Sequence, residues 1–405
     1  MMKLFKIFWL LMGLSIIAFT LFSGQEVERV GDVRVIHNEK EGEWGKNPRV
    51  ALEFIKTIGE LETEDENLAF HMPSDVAVDL KSSIFVLDSG NHRIQKFDSD
   101  GNYLTTIGNK GQGPAEFYFP ISLDVDFQGL LYVSDPQNQR IQILNPDGTE
   151  CKTVKVIKEP PGIIRVLNSG DLLMGKGGLM IGFGAGMEES GGQPDLMQVL
   201  DLEGNILRTF VRPLDYKNTL MNRMGNGIHF ASDESDNIYV TFDYQNRIEK
   251  YSPDGKLLWR SDRKLNYSPT PPGAKSGMEK RKGGIVEIRM PQMNRCSNGI
   301  AVDEKGRVWV ITLKRQIKED EQVQTSVGVR RSSDGTRSMS LSVSGNVEKR
   351  ETDIYQLELY SPEGVLLGAL PLSHFVDDIR IQNHRLFLLD KMRGAQYYEY
   401  KIIEK

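Results

Sequence analysis

Residues 73–107 read PSDVAVDLKSSIFVLDSGNHRIQKFDSDGNYLTTI and residues 120–155 read PISLDVDFQGLLYVSDPQNQRIQILNPDGTECKTVK, and the two stretches match position by position. Each holds four short runs rich in Val, Ile, Leu, Phe and Tyr, parted by polar turn residues, which is the pattern of consecutive antiparallel strands. A unit of this kind cannot bury its apolar face alone and stacks on its neighbours. The turn between third and fourth strands recurs as Asp100-Gly101, Asp147-Gly148, Glu203-Gly204, Asp254-Gly255 and Glu363-Gly364. Gly there supplies the positive φ of a tight hairpin, and Pro146, Pro253 and Pro362 suit the turn's earlier position. Five turns give five four-stranded blades. The sixth is assembled from both ends: 377–382, 385–390 and 396–402 supply three strands, and 54–59, which mirrors 104–108, supplies the fourth. The expected fold is all-β, a six-bladed β-propeller whose ring closes by pairing an N-terminal strand with the C-terminal blade, which removes exposed edges.

The chain has 405 residues, and its length alone suggests two or three domains. Three insertions, 175–195, 263–292 and 314–353, absorb the surplus, and the rest fits six units at the Gly101-to-Gly148 spacing. A formal net charge of -6 weighs against nucleic acid as a partner. Lys3 and Lys6 precede an apolar run from Ile7 to Phe22, the charged and apolar regions of a secretory signal. The small-residue sites around Ala18 and Gly24 are poor cleavage sites, so the reading for 1–24 is a signal peptide or an uncleaved N-terminal anchor. Residues 25–48 read as an extension and 49–405 as the propeller. The expected location is periplasmic or extracellular, with membrane contact only through the N-terminal segment. Of two cysteines, Cys151 falls on an outer strand of the second blade and Cys296 beside an inner strand of the fifth, too far apart to pair. Two free, buried thiols are expected.

The segments Asp88-Ser89-Gly90-Asn91-His92-Arg93-Ile94, Asp135-Pro136-Gln137-Asn138-Gln139-Arg140-Ile141 and Asp243-Tyr244-Gln245-Asn246-Arg247-Ile248 resemble the NHL repeat. Gly111-Gln112-Gly113-Pro114-Ala115-Glu116-Phe117 resembles the linker of bacterial exported six-bladed propellers. The resemblance spans roughly residues 49–403 and implies the fold. It leaves function open, since this scaffold carries lyases, lactonases, sensor domains and RNA-binding modules.

Asp88, Asp135, Asp243 and Asp390 end second strands, and Arg93, Arg140 and Arg247 begin third strands. Such charges near a core survive by pairing, so each Asp is expected to cap its turn beneath an Arg, with His92 a turn residue. The insertions fall in second-to-third-strand loops and in a fourth-to-first connection, which emerge on one face of a propeller, where recognition is expected. Segment 175–195 reads as a glycine-rich apolar lid. Segment 263–292 carries Lys280, Arg281, Lys282 and Arg289, a basic loop suited to an anionic ligand or acidic partner, or simply a solvated loop. Segment 314–353 alternates Val327, Val329, Met339, Leu341 and Val343 around Asp334-Gly335 and reads as a protruding hairpin.

First strands line the channel. Aligning them puts Ala77, Asp124, Arg165, His229, Ala301 and Arg380 at one level, and Ser74, Ile121, Gly162, Asn226, Asn298 and Asp377 at the entrance. An internal echo, Met221-Asn222-Arg223 with Asn226-Gly227-Ile228 and Met293-Asn294-Arg295 with Asn298-Gly299-Ile300, brings Arg223 and Arg295 to the mouth. These residues read either as a site for a small polar or anionic ligand or as a satisfied plug of Asp–Arg pairs. Amidating-lyase relatives place zinc-binding His on several first strands; Ser74, Ile121, Asn226 and Asn298 offer none, so no metal and no catalytic residues are assigned. The expected function is an exported, non-catalytic binding or scaffold protein that recognises a ligand or protein partner. The alternative is a metal-assisted lactonase- or lyase-like enzyme, with Asp124, Asp377, Asn226 and Asn298 around Ca2+.

Overall fold

The computed structural model describes residues 20–22, 25–39, 41–60, 63–156, 160–175, 193–270, 277–280, 286–289, 293–331 and 337–405. Six antiparallel, four-stranded units form the ring. In chain order the blades span 73–107, 122–155, 163–210, 228–263, 297–371 and 378–404, the last completed by Val50–Ile58. That strand pairs antiparallel with Gln396–Glu404 from Tyr397 opposite Ile58 to Glu404 opposite Val50, closing the ring as the sequence predicts.

Second strands are buried along their length and mostly apolar, as in Ile84–Asp88 and Val308–Leu313, because they lie in mid-blade with a neighbouring blade on each face. An aromatic residue stands near their start in five blades (Phe85, Tyr132, Tyr239, Trp309, Phe387), and each of these is at most 4 % exposed. Packing joins adjacent blades: Ala77, Phe85 and Leu87 of the first meet Leu123 and Val133 of the second. The acid-Gly turns close with φ between +85° and +88° at Gly101, Gly148, Gly204, Gly255 and Gly364.

The N-terminal extension is part of the fold. Gln25–Val30 and Val33–Asn38 form a hairpin whose second strand runs parallel to the outer strand of the fourth blade, Leu257–Arg263. Val27 and Ile36 enter the core shared with Tyr239, Trp259, Tyr360 and Val365. Buried Asn38 donates to Ser261 Oγ (2.7 Å), the Asp262 carbonyl (2.9 Å) and the Gly364 carbonyl (3.3 Å), and accepts from Leu366 N (2.8 Å). Glu43 and Trp44 then bond the Leu366 and Leu367 carbonyls. The extension is a strap across the outer edges of the fourth and fifth blades, and it shields the unpaired groups an edge strand exposes.

Insertion 314–353 is a hairpin, Val323–Arg331 against Arg337–Gly345, with Val327 opposite Leu341 and Val329 opposite Met339. Insertion 263–292 contains a small hairpin, Gly277–Lys280 against Val286–Arg289; Arg281 and Lys282 lie outside the described residues. So do most of the 175–195 segment and residues 1–19. Among the described residues no helix is long and apolar enough to cross a membrane. Both cysteines are free, but Cys151 is exposed rather than buried, because no further strand covers the outer strand of its blade. Burial pushes the Cys296 thiol up to about 11.

Candidate functional site

Two levels of the channel follow from strand register. Opposite Phe85, Tyr132, Leu173, Tyr239, Trp309 and Phe387 of the second strands lie Ala77, Asp124, Arg165, Ala231, Ala301 and Arg380. Two residues nearer the loop face, on the same side of each strand, lie Asp75, Ser122, Ile163, His229, Gly299 and Asp378. His229 therefore belongs to the outer level, and Ala231 takes the place the sequence alignment gave it. The echo between 221–228 and 293–300 sets Ile228 against Ile300, whereas the register sets Phe230 there. The pairing shifts register between Ser297 and Gly299 in the fifth blade, whereas the fourth blade runs through without a bulge. Asp75 and Asp378 were missed by sequence reasoning; counting by twos from Ala77 and Arg380 would have found both.

The inner level and Asp75 form a closed network. Asp75 accepts from Ser122 Oγ (2.9 Å), Leu123 N (3.1 Å) and Arg165 Nη1 (3.0 Å), and lies 3.3 Å from Arg380 Nε. Asp124 accepts from Arg380 Nη2 (3.1 Å), Gln382 Nε2 (3.2 Å) and Val166 N (2.8 Å). Burial opposes ionisation of Asp75, but the two guanidiniums win and hold its carboxyl below the usual range. Here Asp124, Arg165 and Arg380 form a plug of Asp–Arg pairs.

The mouth differs, and the repeat itself shows why. In the first blade Asp88 accepts from His71 N (2.7 Å), Asn91 Nδ2 (2.8 Å) and Arg93 Nε (2.8 Å), while Arg93 reaches the Glu66 carbonyl. In the second blade Asp135 accepts from Tyr118 N (3.0 Å), Asn138 Nδ2 (2.7 Å) and Arg140 Nε (3.2 Å). Each clasp ties a second-to-third-strand loop to the preceding connection. The fourth and sixth blades break it. Arg247 sits one residue closer to its Asp than Arg93 does, pairs instead with Glu249 (3.1 Å) and covers the Phe242 ring. Asp243 is left to His229, whose Nε2 lies 2.9 Å away. In the sixth blade Gln396 stands opposite Asp390 where Arg93 stands opposite Asp88. Asp390 accepts from Arg393 N (3.0 Å), and burial with the nearby charge of Asp377 pushes its carboxyl up to about 6.

The freed acids join a group spread over the fourth to sixth blades. Arg295 donates to Asn298 Oδ1 (3.2 Å), sits over the Tyr244 ring, and feels the charges of Asp243 and Asp377. Asp377 accepts from Lys391 N (2.8 Å). Lys391 lies in the field of Asp377, Asp378 and Asp75, and burial depresses its ammonium. Gly299 leaves space for Asp378, since a Cβ there would meet Asp378 Oδ1 at 2.9 Å. His229, Arg295, Asp377, Asp378 and Lys391 are all partly exposed. Burial lowers the His229 pKa, but the hydrogen bond and charge of Asp243, then the charge of Asp378, outweigh it and hold it above 6.5.

The other mouth candidates are spent or undescribed. Asn226 accepts from Leu214 N (2.8 Å) and Gln245 Nε2 (2.9 Å) and donates to the Leu214 and Asn222 carbonyls (both 2.9 Å), so it latches the connection into the fourth blade. Asn298 donates to the Val376 carbonyl (2.9 Å) and positions Arg295. Arg223 lies on the short helix Thr219–Met224, and its side chain is outside the described residues.

A titration follows with a definite sign. His229 is expected to titrate above 6.5 in the native protein, and Asp243→Asn should bring its midpoint below 6.5, because burial then dominates. The stabilisation from protonated His229 is full below the unfolded value of about 6.5 and is lost as pH rises through the native one. Histidine NMR titration of both proteins checks this; an unchanged midpoint in Asp243→Asn would refute the pairing.

Fold and site together define a six-bladed β-propeller with a plugged channel and a partly exposed, charged mouth. The family model described as 6-bladed beta-propeller, DUF5128, matches residues 24–257, and the chain belongs to that family. A search of the curated proteins found no match. Among solved structures, a DUF4221 family member from Bacteroides vulgatus is similar at 10% identity and TM-score 0.54, over 88% of this chain and 99% of that one. A Bacteroides fragilis protein thought to be exported is similar at 11% identity and TM-score 0.51, over 92% and 99%. A gluconolactonase of Xanthomonas campestris matches at 13% identity and TM-score 0.45, over 82% and 86%, too distant to carry an argument. These likenesses concern the fold alone.

Proposed function

We propose that this chain is an exported, non-catalytic binding propeller with NHL-like repeats, recognising a small polar ligand or a protein partner through its channel mouth and the surrounding loop face. One observation carries the reading: the Asp–Arg clasp that secures the first two blades is broken in the fourth and sixth, and at a partly exposed mouth the released Asp243 meets His229 and Arg295 while the released Asp390 lies in the fields of Asp377 and Arg350. Departures from a chain's own repeat fall where function is placed on a scaffold. The N-terminal lysines and apolar run support export, as does the likeness in fold to a protein thought to be exported.

The enzymatic alternative draws less support. Of its calcium donors, Asp124 is held by Arg380, and Asn226 and Asn298 are committed to backbone groups. Among the described residues no group of three or more His, Cys, Asp or Glu could hold a metal ion. Thermal unfolding of the purified protein with panels of small polar metabolites, and separately with Ca2+ or Zn2+, tests the reading. A ligand at about 100 times its Kd should stabilise by about 2.7 kcal/mol. The shift should vanish in Arg295→Gln and persist in Lys256→Gln on the far rim. Stabilisation by Ca2+ alone, with turnover of a lactone, would replace this reading with the enzymatic one.

A further inference from the structure

The charges at the mouth specify more than polarity. The mouth interleaves the carboxylates Asp243, Asp377, Asp378 and Asp390 with the bases Arg295, Lys391, Arg393 and His229, and Arg350 lies near Asp390. Only Asp243 and His229 are in direct contact as an ion pair. Among the described residues neither Arg295, Lys391 nor Arg393 comes within 4 Å of a carboxylate. The contrast with the plug is sharp, since there every guanidinium touches its carboxylate. Buried polar atoms without partners border the same region: Arg393 Nε at the mouth, and below it Arg165 Nε and the Tyr397 hydroxyl, which feels Asp75 and Asp378. Arg393, Arg165 and Tyr397 are 6 %, 7 % and 2 % exposed, and leaving such groups unbonded is costly unless something bonds them.

A cluster that holds separated groups of both signs repels a simple anion through its carboxylates and a simple cation through its bases. It is complemented best by a molecule that is neutral overall and carries both signs. We infer that the mouth binds a small zwitterion of the α-amino acid type, its carboxylate taken by Arg295 and Lys391 and its ammonium by Asp377 and Asp378. Arg295 suits the carboxylate because its planar guanidinium, set by Asn298 and Tyr244, presents paired donors. The inference rests on the reading of the mouth as a ligand site and adds the class of ligand.

Calorimetric titration of the purified protein with free L-amino acids, their N-acetyl derivatives, their amides and neutral sugars tests it. Zwitterions should bind, and removing either charge should weaken binding at least tenfold. Asp378→Asn should selectively relax discrimination against the N-acetyl series, and Lys391→Met against the amides, with unfolding midpoints recorded so that a misfolded variant is recognised. Should one variant fail to fold, the other still reads out its own series. Sugars or capped derivatives binding as well as zwitterions at an Arg295-dependent site would overturn the ligand class while leaving the mouth as a site. No Arg295-dependent binding by any class would overturn both.

Discussion

Asp75→Ala is expected to destabilise the protein by about 3–5 kcal/mol, the cost of stranding buried charge by removing one partner. Asp75 is 3 % exposed and faces two guanidiniums, Arg165 and Arg380, with Ser122 and Leu123 N as its other donors. Without it, Arg165 retains only Ser122 and a carbonyl, and Arg380 retains Asp124. Asp75→Ala combined with Arg165→Met should recover part of the loss, since one stranded cation is then replaced by an apolar chain. The acid limb carries its own sign. The native carboxyl titrates below its unfolded value, so its contribution is full above about pH 4 and is lost as pH falls through the native value. Urea melts of wild type and Asp75→Ala should converge in acid and differ most near neutrality. A loss under about 1 kcal/mol at neutral pH would mean that the plug is not a closed network.

Asn38→Ala is expected to cost about 2–3 kcal/mol, because Leu366 N loses its acceptor, the Asp262 carbonyl loses a donor, and each buried group left unmade costs about 1–3 kcal/mol. The consequence reaches beyond one residue. Asn38 is the only strap side chain that bridges the fourth and fifth blades through bonds to Ser261, Gly364 and Leu366 among the described residues. Cleavage by a non-specific protease between residues 39 and 49 should accelerate in the variant before the propeller core opens. A strap equally resistant in both proteins would show that Val27 and Ile36 alone fix it.

Most of the ring was legible in the sequence because it is built from local rules. Acid-Gly turns need positive φ at a fixed place, and second strands such as Ile84–Asp88 are apolar up to their closing residue because they lie in mid-blade between neighbours. Closure followed because 54–59 mirrors the outer strand of the first blade. What escaped depends on single-residue register or on distant pairing. His229 was placed one level too deep because the echo sets Ile228 against Ile300, two residues out of the register, in which Phe230 opposite Val240 corresponds to Ile300 opposite Val310. Asp243 and Asp390 were read as further clasps, although the loop after Asp243 is one residue short and Gln396 replaces the arginine in the sixth blade. The strap was invisible because its parallel pairing joins residues more than two hundred positions apart, which no local pattern specifies.

The most direct measurement is a high-resolution crystal structure of the protein grown with an excess of a free α-amino acid. The account predicts density bridging Arg295, Lys391, Asp377 and Asp378 at the mouth, with Asp75 still in direct contact with Arg165 and Arg380 beneath. Arg295 and Lys391 folded directly onto Asp377 and Asp378, leaving the mouth filled by the protein's own side chains, would contradict it.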